Sequence, residues 1–174
     1  PLIFAGSTAL TAPTARADIA AEWRFNEGSG FFTYDKTGNG NTGTLQNGVA
    51  WTTNGYSGNA LYFDGINDLI SVVKTESVDV TQKLKLEAWI KRDSQQDGTI
   101  ASRNGPFMIA VRDNKAYGGI HTSGGPEGWT VATGTTNLQL GIWYHITLTY
   151  DGSYVKIYVN DIEEGSAPKQ GIMG

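Results

Sequence analysis

Cysteine is absent from the 174-residue chain, which excludes disulfide staples, thiolate metal centres and thiol nucleophiles together. Charge is sparse too: Asp, Glu, Lys and Arg make up 17% of the residues, and 13 basic against 17 acidic side chains leave a net charge of −4. The longest Lys/Arg run is Lys91-Arg92, so the basic footprint that holds nucleic acid is missing. No apolar run approaches the ~20 residues of a membrane span. No segment sustains a 3.6-residue apolar stripe, which excludes helical bundles and coiled coils.

What is present is glycine, at 23 positions, and an 11% share of aromatics. Glycine in that abundance punctuates a chain of many turns. Short apolar runs alternate with Gly/Asn/Asp/Ser clusters from Asp18 onward. The clearest strand is Leu84 to Arg92, where Leu84, Leu86, Ala88 and Ile90 share a core face and Lys85, Glu87, Trp89 and Lys91 share the other. Trp143 to Tyr150 and Tyr154 to Asn160 form a second good pair about Asp151-Gly152. Further strands are expected at Ala21–Phe25, Ala60–Phe63, Leu69–Val73, Gly98–Ser102, Phe107–Arg112, Lys115–Ile120 and Trp129–Ala132, with tight turns at Asp113-Asn114 and Asn160-Asp161. The Asp35 to Gly43 stretch is expected as an ordered loop. Many short strands joined by antiparallel turns, without an internal repeat, define an all-β sandwich or jelly roll.

The N-terminal stretch ends in Ala15-Arg16-Ala17, a small-x-small triplet like the end of a secretory leader. Residues 1–17 are therefore expected to be a signal-peptide remnant and 18–174 the domain, of a secreted or envelope-exposed protein.

Five segments in order carry a family resemblance: Trp23-Arg24-Phe25-Asn26-Glu27-Gly28, the Asp35–Gly43 loop, Leu61-Tyr62-Phe63-Asp64-Gly65, Leu86-Glu87-Ala88-Trp89-Ile90, and Trp143-Tyr144-His145-Ile146 running on to Tyr150-Asp151-Gly152 and Val155–Asn160. Together they resemble a laminin G-like domain of the concanavalin A-like lectin/glucanase superfamily. The resemblance implies a two-sheet antiparallel jelly-roll sandwich, typically part of secreted or cell-surface proteins. It also implies closing strands beyond the Gly165–Gly171 loop, so that the chain is expected to lack its last strands and the Ala21–Phe25 strand to lack a partner.

Glycoside hydrolysis requires two carboxylates ~5–9.5 Å apart, and no strand offers them: Glu163 and Glu164 are adjacent and point to opposite faces, while Glu87 stands alone. Gly119-Ile120-His121 and Tyr154-Val155-Lys156 depart from the lyase pattern they superficially resemble. The expectation is a non-enzymatic binding module. Its partner is a glycan on a concave sheet face or, alternatively, an extracellular protein in adhesion or spacing; a polysaccharide-degrading enzyme is third. Aromatic faces stack on sugar rings, which makes Trp89, Tyr117, His121 and Trp129 the candidate ligand-binding residues, with the Gly118–Gly128 cluster as rim. Asp64, Asn67 and Asp68 put hard oxygen donors around one turn and are the candidate ligands of a structural Ca²⁺, as are Asp35, Asn39 and Asn41 in a second loop; Asp and Asn are equally the ordinary residues of turns.

Overall fold

In the computed structural model, the described residues are 2–4, 8–11, 19–123 and 128–174, with side chains from residue 19 onward. No α-helix occurs among them; a single 3-10 turn spans Glu76–Val78. The strands are β1 (Leu2–Phe4), β2 (Thr8–Thr11), β3 (Ile19–Trp23), β4 (Phe32–Thr33), β5 (Gly43–Gln46), β6 (Ala50–Thr52), β7 (Ala60–Phe63), β8 (Leu69–Val72) and β9 (Leu84–Arg92). The second half adds β10 (Gly98–Arg103), β11 (Phe107–Arg112), β12 (Lys115–Ser123), β13 (Gly128–Thr133), β14 (Trp143–Tyr150), β15 (Tyr154–Val159), β16 (Ile162–Pro168) and β17 (Ile172–Met173).

These strands form a sandwich of antiparallel sheets. One large sheet runs β16-β15-β14-β9-β1-β7-β6, with β2 joining β3 to β9. Facing it is a sheet ordered β10-β11-β12-β13, with β17 on β12, and a smaller β4-β5-β8 sheet. The alternation read from Leu84 to Ile90 holds: those four residues are at most 3% exposed and pack with Ile146, Leu148 and Ile157 against Ile109, Val111 and Ile120 of the facing sheet. Gly118 makes this contact possible, because a Cβ there would lie 2.5 Å from Leu148 Cδ1. The tight turns form as expected, with positive φ at Asp113, Asn114, Asn160 and Asp161, the left-handed pairs that two-residue hairpins require.

Three expectations are corrected. The first strand ends at Trp23 rather than Phe25, because Phe25 turns left-handed (φ 53) to bury its ring in the core. That strand is not unpartnered: β2 pairs with it from Thr8↔Trp23 to Thr11↔Ile19. The Gly165–Pro168 segment is strand, not loop; it extends β16 along β15, and Gly165 lets it pass close against the carbonyl of Thr133. Ala15-Arg16-Ala17 lies outside the described residues.

The Asp35–Gly43 loop is ordered by its own carboxylate. Asp35 accepts hydrogen bonds from the backbone N–H of Glu22, Thr37 and Asn41, from the Thr37 hydroxyl and from Asn41 Nδ2. Partial burial would raise its pKa, but these donors hold it down at about 2. The indole of Trp23 donates to Asn41 O at 2.6 Å and that of Trp51 to Gly30 O at 2.8 Å, so both tryptophans anchor loops.

Candidate functional site

The two sheets present their outward faces to solvent on opposite sides of the sandwich, and the candidate aromatics divide between them. Trp89 lies on the outward face of the large sheet; Tyr117, His121 and Trp129 share the outward face of the β11-β12-β13 sheet.

On the large sheet, β9 and β14 pair Trp89 with His145 and Lys91 with Trp143. Trp89 stacks with two rings: Tyr56 at 3.6 Å between ring centroids, and His145 at 5.1 Å. Tyr56 meets Trp143 edge-on at 6.3 Å, and the Lys91 ammonium lies 5.2 Å from the Trp143 ring. His145 Nδ1 lies 3.2 Å from Asp161 Oδ1. The loop carrying Tyr56 closes on itself through Gly55 N–H donating to Gly58 O. Trp89 is therefore engaged in stacking with Tyr56 and His145.

The other face is built differently. The register places Trp129 opposite His121, Val131 opposite Gly119 and Thr133 opposite Tyr117. Trp129 is 48% exposed. Its indole lies across Gly119, where a Cβ would meet Cε3 at 2.9 Å and Cζ3 at 3.1 Å; the missing side chain lets the ring settle against the sheet. The strand base is tied down by the buried Lys169, whose Nζ donates to Gly128 O at 2.8 Å. His121 stands 6.0 Å from the Trp129 ring, tilted by 60°. Its Nδ1 lies 2.7 Å from Gly174 O. That oxygen only accepts, so Nδ1 donates to it, and Nε2 has no hydrogen-bond partner among the described residues. The result is an open aromatic plate with a hydrogen-bonding ring beside it, the arrangement that stacks on the apolar face of a sugar and bonds its hydroxyls. Within the expected rim, residues 124–127 lie outside the described residues.

In the sequence Gly119 was read only as part of the Gly118–Gly128 rim and of a lyase-like triplet, although a glycine in the middle of a strand is itself a sign of close approach. Arg112 and Lys115 of the same face also escaped notice; a two-residue turn at Asp113-Asn114 necessarily sets them opposite each other.

The two oxygen-rich loops are internally bonded. Asp64 Oδ1 accepts from Ile66 N–H, Asp68 Oδ2 from Asp64 N–H, and the carbonyl of Asn67 from Asn47 Nδ2. Asp68 Oδ1 is buried without a hydrogen-bond partner. Both Asp35 oxygens are bonded, Asn41 Oδ1 accepts from Thr75 and Ser77, and Asn39 Nδ2 donates to Ala20 O. Among the described residues, no three His, Asp or Glu side chains gather around a common point. The adjacent carboxylates are likewise committed: Glu163 to Lys156, and Glu164 to the backbone of Thr135 and Thr136 and to the Thr136 hydroxyl.

A cavity of about 920 Å³ opens between β8 and β10, lined by Trp23, Phe25, Phe63, Ile70, Ile100 and Phe107. In the described residues β8 pairs only with β5 and β10 only with β11.

Architecture and surface together define a β-sandwich whose one outward face is an aromatic plate. The chain belongs to the concanavalin A-like lectin/glucanases superfamily: the superfamily's laminin G-like profile matches residues 64–172. No curated protein shows significant sequence similarity to it. Among solved structures it is similar to the binding domain of Paraclostridial Mosquitocidal Protein 1, at 14% identity and TM-score 0.65, covering 95% of this chain and 42% of that one. It is also similar to Domain 4 of AbnA, a GH43 extracellular arabinanase from Geobacillus stearothermophilus solved with arabinotriose, at 18% identity, TM-score 0.55 and coverage of 98% and 79%. The receptor binding domain of botulinum neurotoxin D matches at 14% identity and TM-score 0.62, over 94% of this chain and 40% of that one. The chain thus spans less than half the length of the two toxin chains. No helix among the described residues is long and apolar enough to cross a membrane.

Proposed function

We propose that this domain is a non-catalytic carbohydrate-binding module of an extracellular protein, and that it holds its glycan on the outward face of β11-β12-β13. The observation that carries the reading is Trp129, half exposed and lying across Gly119 with its outer face open. His121 Nε2 hydrogen-bonds a sugar hydroxyl beside the plate, and Tyr117 extends the surface along β12. The shared fold supports a binding role, since two of the similar structures are binding domains and the third, a domain of an arabinanase, was solved with arabinotriose. Location outside the cell fits the arabinanase described as extracellular and the Ala15-Arg16-Ala17 triplet. Intact mass of the secreted product would show residues 1–17 removed, and strands β1 and β2 with them; their retention in the large sheet would overturn the leader assignment.

The test is a glycan array with the wild-type domain and Trp129→Ala. Stacking platforms act as binding hot spots, so the variant is expected to lose about 2 kcal/mol, roughly thirtyfold in affinity, with an unchanged melting temperature. A blank array together with retention on a protein partner would replace this reading with adhesion. Release of sugars from a polysaccharide by the isolated domain would make it an enzyme. For a structural Ca²⁺ at Asp64, Asn67 and Asp68 the support is the unbonded Asp68 Oδ1. A rise in Tm on adding calcium, lost in Asp68→Asn, would uphold that site; no heat and no shift would dismiss it.

A further inference from the structure

We propose that the glycan held on this face is anionic, its carboxylate or sulfate group seated on Arg112 and Lys115; the inference rests on the binding face assigned above. The Asp113-Asn114 turn sets these two cations directly opposite each other across β11 and β12. Like charges in that position repel, and the pair is destabilising unless something negative lies between them. Nothing does. The Arg112 guanidinium reaches only the carbonyl of Val111, the Thr99 hydroxyl at 3.5 Å and Met108 Sδ at 3.9 Å. Neither Arg112 nor Lys115 forms an ion pair among the described residues, although Asp97 and Asp113 lie at the same end of the hairpin, where Asp97 Oδ1 accepts from Asp113 N–H. The outward positions of β11, β12 and β13 carry no Asp or Glu.

Several cations elsewhere on the molecule are matched. Lys74 and Arg103 pair with Asp79, Lys85 with Glu87, Lys156 with Glu163, and Lys91 lies over Trp143. In a chain of net charge −4, an unmatched cross-strand pair of cations is a local exception. It sits on the strands that carry the aromatic plate. Lys115 and His121 point the same way along β12, and six residues of strand span ~20 Å. Tyr117 lies between them. The face is therefore long enough to stack one sugar on Trp129 and to hold the charged group of another, farther along the same oligosaccharide, between Arg112 and Lys115. A guanidinium and an ammonium together satisfy either oxyanion.

The experiment is calorimetric titration with three probes: a polygalacturonate oligomer for the carboxylate, a heparin oligosaccharide for the sulfate, and the carboxyl-reduced form of the first as its neutral counterpart. Wild type is expected to bind at least one anionic probe, more weakly as salt rises, and to prefer it to the neutral one. R112Q and K115Q are each expected to weaken that binding about tenfold, leaving the neutral probe's affinity unchanged and the melting temperature equal or slightly higher as the repulsion is relieved. Binding of only the carboxylate or only the sulfate identifies the anion and upholds the proposal. Equal binding of the neutral probe, unaffected by R112Q, would overturn it while leaving the Trp129 platform standing. Absence of binding to any probe and to a glycan array would overturn both.

Discussion

The sandwich carries two aromatic groups built from the same residue types, Trp, Tyr and His, on its two outward faces, and they do opposite things. On the large sheet Trp89 is stacked with Tyr56 and His145, with Trp143 and Lys91 completing the cluster. On the facing sheet Trp129 has a glycine beneath it and solvent above. The difference lies in what the neighbouring loop supplies: one loop brings a tyrosine down onto the sheet, while the other strand provides only backbone. Aromatic surface already paired with aromatic surface stabilises the fold, whereas aromatic surface kept open is available for recognition.

The comparison is most severely tested by Trp89→Ala. Removing the middle ring of the stack is expected to cost about 3 kcal/mol of stability in denaturant unfolding, with glycan affinity of the remaining folded protein unchanged. Lost binding without lost stability would reverse the roles assigned to the two faces. Acid separates fold from recognition in a second way. Because the folded-state pKa of Asp35 is depressed to about 2 from 3.8, its contribution is complete above pH ~4 and disappears as pH falls toward 2. The shift corresponds to about 2 kcal/mol. Stability measured across that window should fall in wild type and stay flatter in Asp35→Asn, which starts lower.

Gly119→Ala addresses the open face. The added methyl meets the indole at 2.9 Å and lifts it from the sheet, so affinity should drop about fivefold, on the order of 1 kcal/mol. The melting temperature should move little. The smallest effect is expected for Tyr56→Ala: loss of one stacked pair at this exposed tyrosine costs about 0.5 kcal/mol and uncovers the Trp89 indole where Tyr56 stacks. If that variant gains glycan affinity, the enclosed cluster is a second platform held shut rather than a structural element.

Much of the sandwich was legible beforehand, for identifiable reasons. Leu84 to Arg92 and Trp143 to Tyr150 alternate cleanly because each has one face on a continuous core, and their limits match the observed strands. The Asp113-Asn114 and Asn160-Asp161 turns announce themselves because few residues accept positive φ. The Gly165–Pro168 segment misled because its composition is that of a loop; it is strand because β15 offers an edge and Gly165 tolerates close approach to Thr133. For the candidate site, Tyr117, His121 and Trp129 were brought to one face by simple alternation on paired strands. Trp89 was not separable from them, since the residue that encloses it, Tyr56, arrives from a distant loop with no local signature.

The contact between Trp129 and Gly119 has a thermodynamic consequence. A tryptophan free to sample rotamers would have to surrender them when a sugar docks, and that loss would be charged against every binding event. Here the ring is pressed to the sheet and its strand is tethered through Lys169 before any ligand arrives. Association then orders the sugar more than the protein. The cost of ordering the indole has moved from the moment of recognition to the moment of folding.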